Sequence, residues 1–178
     1  MARKQTARGK TSKSEETRLV QAAVKLGALG AKVIAPSSVE TAEWVRWKCR
    51  FGCGGYGSSL VCPPHSPKPA ETRAMLDQYT RAVLFQAPDG QSKKIAVALE
   101  RELFLAGYYK AFGLGAGPCP LCKSCAFDEG CRHPHKARPA MEACGIDVFA
   151  TARKHGFPLD VVRNHGDEQH YYGLVLVD

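Results

Sequence analysis

The residues best equipped for chemistry are eight cysteines, which fall into two groups and one outlier. The denser group is Cys119-Pro-Leu-Cys122-Lys-Ser-Cys125, followed by Cys131-Arg-His-Pro134. Three cysteines separated by two residues each wrap a loop round one [4Fe–4S] cubane, so that three thiolates reach three irons while loop amides point at the sulfurs. Cys131, with five residues between it and Cys125, is the natural fourth ligand. In two-cluster ferredoxins the last cysteine of such a run serves the other cluster, so either assignment of Cys131 stays open. Zinc is the competing metal. Tetrahedral zinc sites use two separated cysteine or histidine pairs, a form into which Cys119, Cys122, Cys125 and Cys131 can be forced, but the overlapping triple fits a cubane better.

The other group is Cys49-Arg-Phe-Gly-Cys53-Gly-Gly-Tyr-Gly-Ser-Ser-Leu-Val-Cys62-Pro-Pro64. Its glycines leave room for backbone amides to approach a ligand, and Pro63-Pro64 turns the chain away. Only three cysteines are present, so Cys144, in Met-Glu-Ala-Cys144-Gly-Ile-Asp147, would complete a second site of four. The alternative is that Cys144 is a small buried residue packed on a helix. His133 and His135 could ligate or tune a metal, against the plainer reading of a solvated basic rim with Arg132, Lys136 and Arg138. Glu100, Glu102 and Glu142 are expected on helices, exposed or ion-paired. No nucleophile and base stand in a pattern that supports hydrolase chemistry.

Cys49-x3-Cys53-x2-Tyr56-Gly57, Cys62-Pro-Pro64, Leu99-Glu100, Gly107-Tyr-Tyr-Lys-Ala-Phe112, Gly117-Pro-Cys119-x2-Cys122-x2-Cys125, Cys131-Arg-His-Pro134, Arg138-Pro and Gly145-Ile-Asp-Val148 together resemble a prokaryotic family of predicted metal-binding proteins with a cysteine-rich domain of unknown function. The resemblance covers the chain from about residue 14 onward. It implies a metal of iron–sulfur type and supplies no reaction.

Elements must position these residues. Ser12 and Glu15 form a capping-box pattern, and Leu19, Ala22, Ala23 and Leu26 recur at helical spacing, which predicts a first helix to about Gly27. Ala31–Ala35 and Glu43–Trp47 read as short strands, Glu71–Tyr79 as a helix after Pro67 and Pro69, and Ala82–Gln86 as a buried strand. A long helix is expected from Ser92 to about Phe112 and another over 141–155, with closing strands at Leu159–Val162 and Tyr172–Val177. Irregular alternation of strands and helices favours a single α+β domain: a small mixed sheet, packed helices and two cysteine-rich metal-binding loops.

Residues 1–13 read as a disordered basic arm whose stretch 2–8 looks like the start of a core histone tail, and 14–178 as the metal-binding domain. The opening residues lack the apolar stretch of a signal peptide, and no run of about 18 apolar residues could span a bilayer. A cytoplasmic protein with free thiols is the expectation. The formal charge is +8, but each thiolate-ligated cluster would add roughly −2, so the basic balance is weak evidence for nucleic acid. No stacking aromatics are interleaved with a Lys/Arg stripe, and the basic rim would favour an acidic redox partner. The function expected is electron transfer through one or two [4Fe–4S] clusters. The rivals are an enzyme using a three-cysteine cluster with one iron open, and a zinc-binding structural protein or a metal or cluster carrier.

Cys122→Ser, at the centre of the overlapping triple, is expected to remove most of one cluster and to destabilise the loop from Gly117 to Pro134. Full iron content and an unchanged melting temperature in that variant would show the site to be misplaced.

Overall fold

A computed structural model describes residues 13–178. The expected basic arm and the Ser12 cap lie outside the described residues, apart from Lys13, which opens helix α1 (Lys13–Lys25). There follow β1 (Gly30–Ile34), α2 (Glu43–Gly52), α3 (Pro69–Leu76), β2 (Ala82–Ala87), α4 (Ser92–Leu105), β3 (Phe112–Leu114), α5 (Val148–Lys154) and β4 (Tyr171–Leu176), with short 3-10 turns at Pro36–Ser38 and Glu142–Cys144.

The strands form one sheet in the order β1-β2-β4-β3. All pairings in this α+β domain are antiparallel, with Leu84 opposite Leu174 and Gly113 opposite Val175. Of the mixed sheet expected, the parallel component is one isolated bridge, Gly115 with Ala140. The central strands β2 and β4 are apolar almost throughout because both faces of the sheet are covered. Val83, Phe85 and Val175 meet Leu19 and Ala23 of α1 and Ile95, Leu99 and Leu103 of α4. Leu84, Leu174 and Leu176 meet Leu76 of α3, Ala152 of α5 and the Met141–Ile146 segment. The cysteine-bearing elements gather on this second side.

Several expected elements are revised. Glu43–Trp47 is the first half of helix α2 and not a strand. Its Trp-Val-Arg-Trp run carries strand propensity, yet Val45 and Cys49, four residues apart, share the inward face of a helix. The long helix ends at Leu105, because Gly107 takes φ 101° and the Tyr108 amide turns back to the Leu103 carbonyl at 3.0 Å. The chain is thereby freed to form β3. Over 141–155, Gly145 at φ 76° divides the 3-10 turn from α5, which Asp147 caps by accepting from the Ala150 amide at 2.9 Å. Leu159–Val162 is not a strand: Leu159 enters the core and Asp160, Val161 and Val162 are exposed.

The second cysteine loop leaves the sheet at β3 and is closed at its base. The Gly115 amide donates to the Pro139 carbonyl at 3.0 Å, and the Met141 amide donates to the Gly115 carbonyl at 2.8 Å. Beside this closure, Glu100 of α4 pairs with Arg138 and accepts from the Gly113 amide at 2.7 Å. The ion pair expected of Glu100 is thus present and largely buried. Glu100→Ala leaves the Arg138 guanidinium without its counter-charge and the Gly113 amide without its acceptor, and is expected to cost on the order of 3 kcal/mol. Equilibrium denaturation checks this; a cost under about 1 kcal/mol would place the closure's stability elsewhere.

Candidate metal centre

Cys49 sits in the last turn of α2, Cys53 directly follows that helix, and Cys62 is buried in a turn before the cis peptide Pro63–Pro64. The Tyr56 amide donates to Cys53 O at 3.1 Å and the Cys62 amide to Ser59 O at 3.0 Å, so tight turns bring the loop back on itself. All three cysteines line one cavity of about 350 Å³. Its other walls include Trp44, Val45, Tyr56, Ile146 and Phe149, with Gly117 and Pro118 from the second cysteine loop.

The start of α2 is fixed by the Ala42 amide, which donates to Gly145 O at 2.9 Å, and by the Asp147 amide, which donates to Glu40 O at 2.8 Å. Farther along, the Arg46 guanidinium donates to Pro67 O at 2.6 Å, Ala143 O at 2.9 Å and Ser66 O at 3.2 Å. One side chain therefore ties together the helix carrying Cys49, the segment after Cys62 and the 3-10 turn containing Glu142. Ser66 adds a hydroxyl donated to Ala143 O at 2.6 Å.

The two cysteine groups lie against each other. The Leu60 amide of the first donates to Cys125 Sγ of the second at 3.4 Å, and the His65 and Phe127 rings are 5.1 Å apart. Two further sulfurs accept backbone amides at 3.4 Å, Cys53 from Gly55 and Cys131 from His133. Amides aimed at a ligand sulfur tune the metal bound to it. Cys119, Cys122 and Cys125 are half-buried and Cys131 is exposed. His133 and His135 are exposed beside Arg132 and Lys136, in keeping with a solvated rim. Among the described residues no three His, Cys, Asp or Glu side chains converge on a point that would hold a single ion.

Cys144 stands apart from the cavity. It is buried in the core with Leu76, Met141 and Ile146, and burial pushes its thiol up to about 12. Burial, then the neighbouring Cys53 and Glu142, also push the Cys49 thiol up. A metal there would have to displace a tightly held proton.

Lys93 escapes the sequence reading, and the surroundings of Glu142 are misjudged by it. Lys93, in the first turn of α4, lies beneath the loop closure, where the absence of a side chain at Gly115 gives it room: a Cβ there would stand 2.5 Å from Lys93 Cγ and 3.0 Å from its backbone. Burial pulls its ammonium down, against the opposing influence of Cys119, Cys62 and Glu142. Glu142, expected on an exposed or paired helical face, lines the cavity, and burial pushes its carboxyl up. Lys93 Nζ and Glu142 Oε2 are buried without a hydrogen-bond partner among the described residues. No periodicity signals either position; only the glycine at 115, opposite Lys93, hints at close packing.

The chain belongs to the family described as predicted metal-binding protein (DUF2284), whose model matches residues 32–177. That span holds all eight cysteines and most of the sheet. No curated protein and no solved structure matches the chain. The family is described by predicted metal binding, and the thiols, buried charges and sulfur-directed amides are the groups of this chain that such a role would draw on.

Arg46→Met removes the donor shared by three segments of the cavity wall. It is expected to lower stability by about 2 kcal/mol and to speed thiol labelling at buried Cys62. Thermal denaturation and timed alkylation measure both, and unchanged labelling would show that Arg46 does not hold the wall closed.

Proposed function

We propose that this metal-binding protein is an iron–sulfur protein of a prokaryotic cytoplasm that carries electrons on two [4Fe–4S] clusters. Cys119, Cys122, Cys125 and Cys131 would hold one, and Cys49, Cys53 and Cys62 would supply three ligands to the other. The observation that carries this reading is the cavity in which three cysteines from separate turns face a wall made by the loop of the second group. When bound, a cubane supplies a one-electron couple whose potential follows hydrogen bonds to sulfur, local charge and exposure.

The chain's own residues fit that task. Amides of Gly55, Leu60 and His133 donate to the sulfurs of Cys53, Cys125 and Cys131, and hydrogen bonds to ligand sulfur favour the reduced, more negative state of a cluster. Lys93 feels both Cys62 and Cys119, one from each group, so a single buried cation offsets negative charge at both sites. Trp44, Trp47 and Phe51 stand exposed on α2 together with Lys48 and Arg50, on the helix that carries Cys49. Basic and aromatic together, that surface suits an acidic redox partner with an apolar contact area.

A second reading is favoured by the apolar walls of the same cavity. Three thiolates alone leave one iron open, and Trp44, Tyr56 and Phe149 would shelter a small molecule bound there. The zinc alternative rests on the spacing of Cys119, Cys122, Cys125 and Cys131, and the carrier alternative on the number of thiols.

Anaerobically purified protein is expected to be brown, to absorb broadly near ~400 nm through thiolate-to-iron charge transfer, and to carry about eight irons and matching sulfide per chain. About four irons would leave one site empty. Colourless protein with stoichiometric zinc after anaerobic reconstitution would sink the iron–sulfur reading.

A further inference from the structure

The site of Cys49, Cys53 and Cys62 has three thiols and needs a fourth donor, which counting cysteines assigns to Cys144. The structure points elsewhere. Cys144 is packed into the core and does not line the cavity, and its carbonyl is engaged by the Thr72 hydroxyl at 2.7 Å. Glu142, two residues earlier, does line the cavity. Its backbone oxygen lies 3.9 Å from Cys49 Sγ, and the turn that carries it is held by Arg46 and Ser66 at Ala143 O.

Its carboxyl is in an unusual state. The carboxyl is supported by its own backbone amide, but Oε2 is buried with no hydrogen-bond partner among the described residues, and Lys93 Nζ, close enough to influence it, lacks one among those residues as well. A buried carboxylate oxygen without a donor is costly, and a protonated one would need an acceptor. A cation in the cavity would satisfy it. Iron accepts carboxylate oxygen, although less tightly than the softer thiolate.

We propose that the Glu142 carboxylate, and not Cys144, is the fourth protein ligand of the cluster held by Cys49, Cys53 and Cys62; this rests on the iron–sulfur reading above. The iron at Glu142 is then the exchangeable one. A carboxylate holds it against loss, yet a thiol or small anion entering between Trp44, Tyr56 and Phe149 can compete for it. Lys93 stays beside the cavity as the counter-charge.

The test compares anaerobically reconstituted wild type, Glu142→Gln, Glu142→Cys and Cys144→Ala, each brought to the same mild ferricyanide oxidation. Iron per chain and the EPR signal of three-iron cluster are the readouts. Glu142→Gln is expected to raise the three-iron fraction several-fold, Glu142→Cys to lower it below wild type, and Cys144→Ala to leave it unchanged. A Glu142→Gln protein with the wild-type fraction, or loss of iron in Cys144→Ala in its place, overturns the assignment. Should Glu142→Gln not fold, Glu142→Cys decides: a visible and EPR spectrum identical to wild type overturns it. A wild type that binds no cluster removes the iron–sulfur reading and this assignment together, whereas a clustered wild type with an unresponsive Glu142→Gln removes the assignment alone.

Discussion

The paired hydrogen bonds of Gly115, to Pro139 and from Met141, are the constraint on which the region depends. They join the end of β3 to the segment that re-enters the core at Ala140 and Met141, so the second cysteine loop is anchored at both feet to a buried sheet. Everything nearby uses that closure. Glu100 and Arg138 brace it from α4, the Ala116 amide donates to Ser92 Oγ at 2.9 Å, and Lys93 packs where a residue with a side chain at 115 could not stand. The same re-entry puts Glu142 into the cavity wall and Cys144 into the core, so one backbone conformation decides which of these two residues faces the three thiols.

Charge is arranged around this closure in a way that costs stability without a ligand. Lys93 and Glu142 are opposite in sign and close enough to oppose each other's desolvation, yet neither Lys93 Nζ nor Glu142 Oε2 finds a hydrogen-bond partner among the described residues. A fold selected for stability alone would do better with apolar side chains of similar volume. The arrangement is rational if the cavity holds a group with both irons and negatively charged sulfur, because iron then takes the carboxylate and the ammonium offsets the thiolates. Arg46 follows the same logic: its donors go to the carbonyls of Ser66, Pro67 and Ala143, so its charge is held in the wall.

Much of the scaffold can be read from residue order. Ala82–Ala87 and Tyr171–Leu176 are apolar runs too short for helices, and α1 shows its Leu19 and Ala23 stripe. The misses share a cause. Helix α2 is hidden because Trp and Val favour strands, and only the fold reveals that its face of Val45 and Cys49 has something to line. Gly107 marks the end of α4, whereas Gly113, the glycine that the longer expected helix runs up to, sits in β3 against the Ala96 backbone. Cysteine spacing announces which thiols can act together, but the importance of Lys93 and Glu142 comes from burial. Burial is set by partners distant in sequence, as Gly115 is from Lys93 and Cys49 is from Glu142, and no local pattern carries it.

The contact between the two cysteine groups bears on whether they act separately or together. Leu60 of the first group donates to Cys125 of the second, Gly117 and Pro118 of the second wall the cavity of the first, and Lys93 influences a cysteine in each. Two cofactors placed in such loops would share one counter-charge at close range, so a charge change at either would be felt at the other. A store for independent ions has no use for that coupling. Cys53 of the first group and Cys131 of the second are exposed, Cys62 is buried and the other thiols of the two groups are half-buried, so each group presents one thiol at the surface. The two groups are not equivalent: the surface loop offers four thiols, whereas the cavity offers three with Glu142 and apolar side chains around them, so any cofactors held by both would differ in ligation and in surroundings.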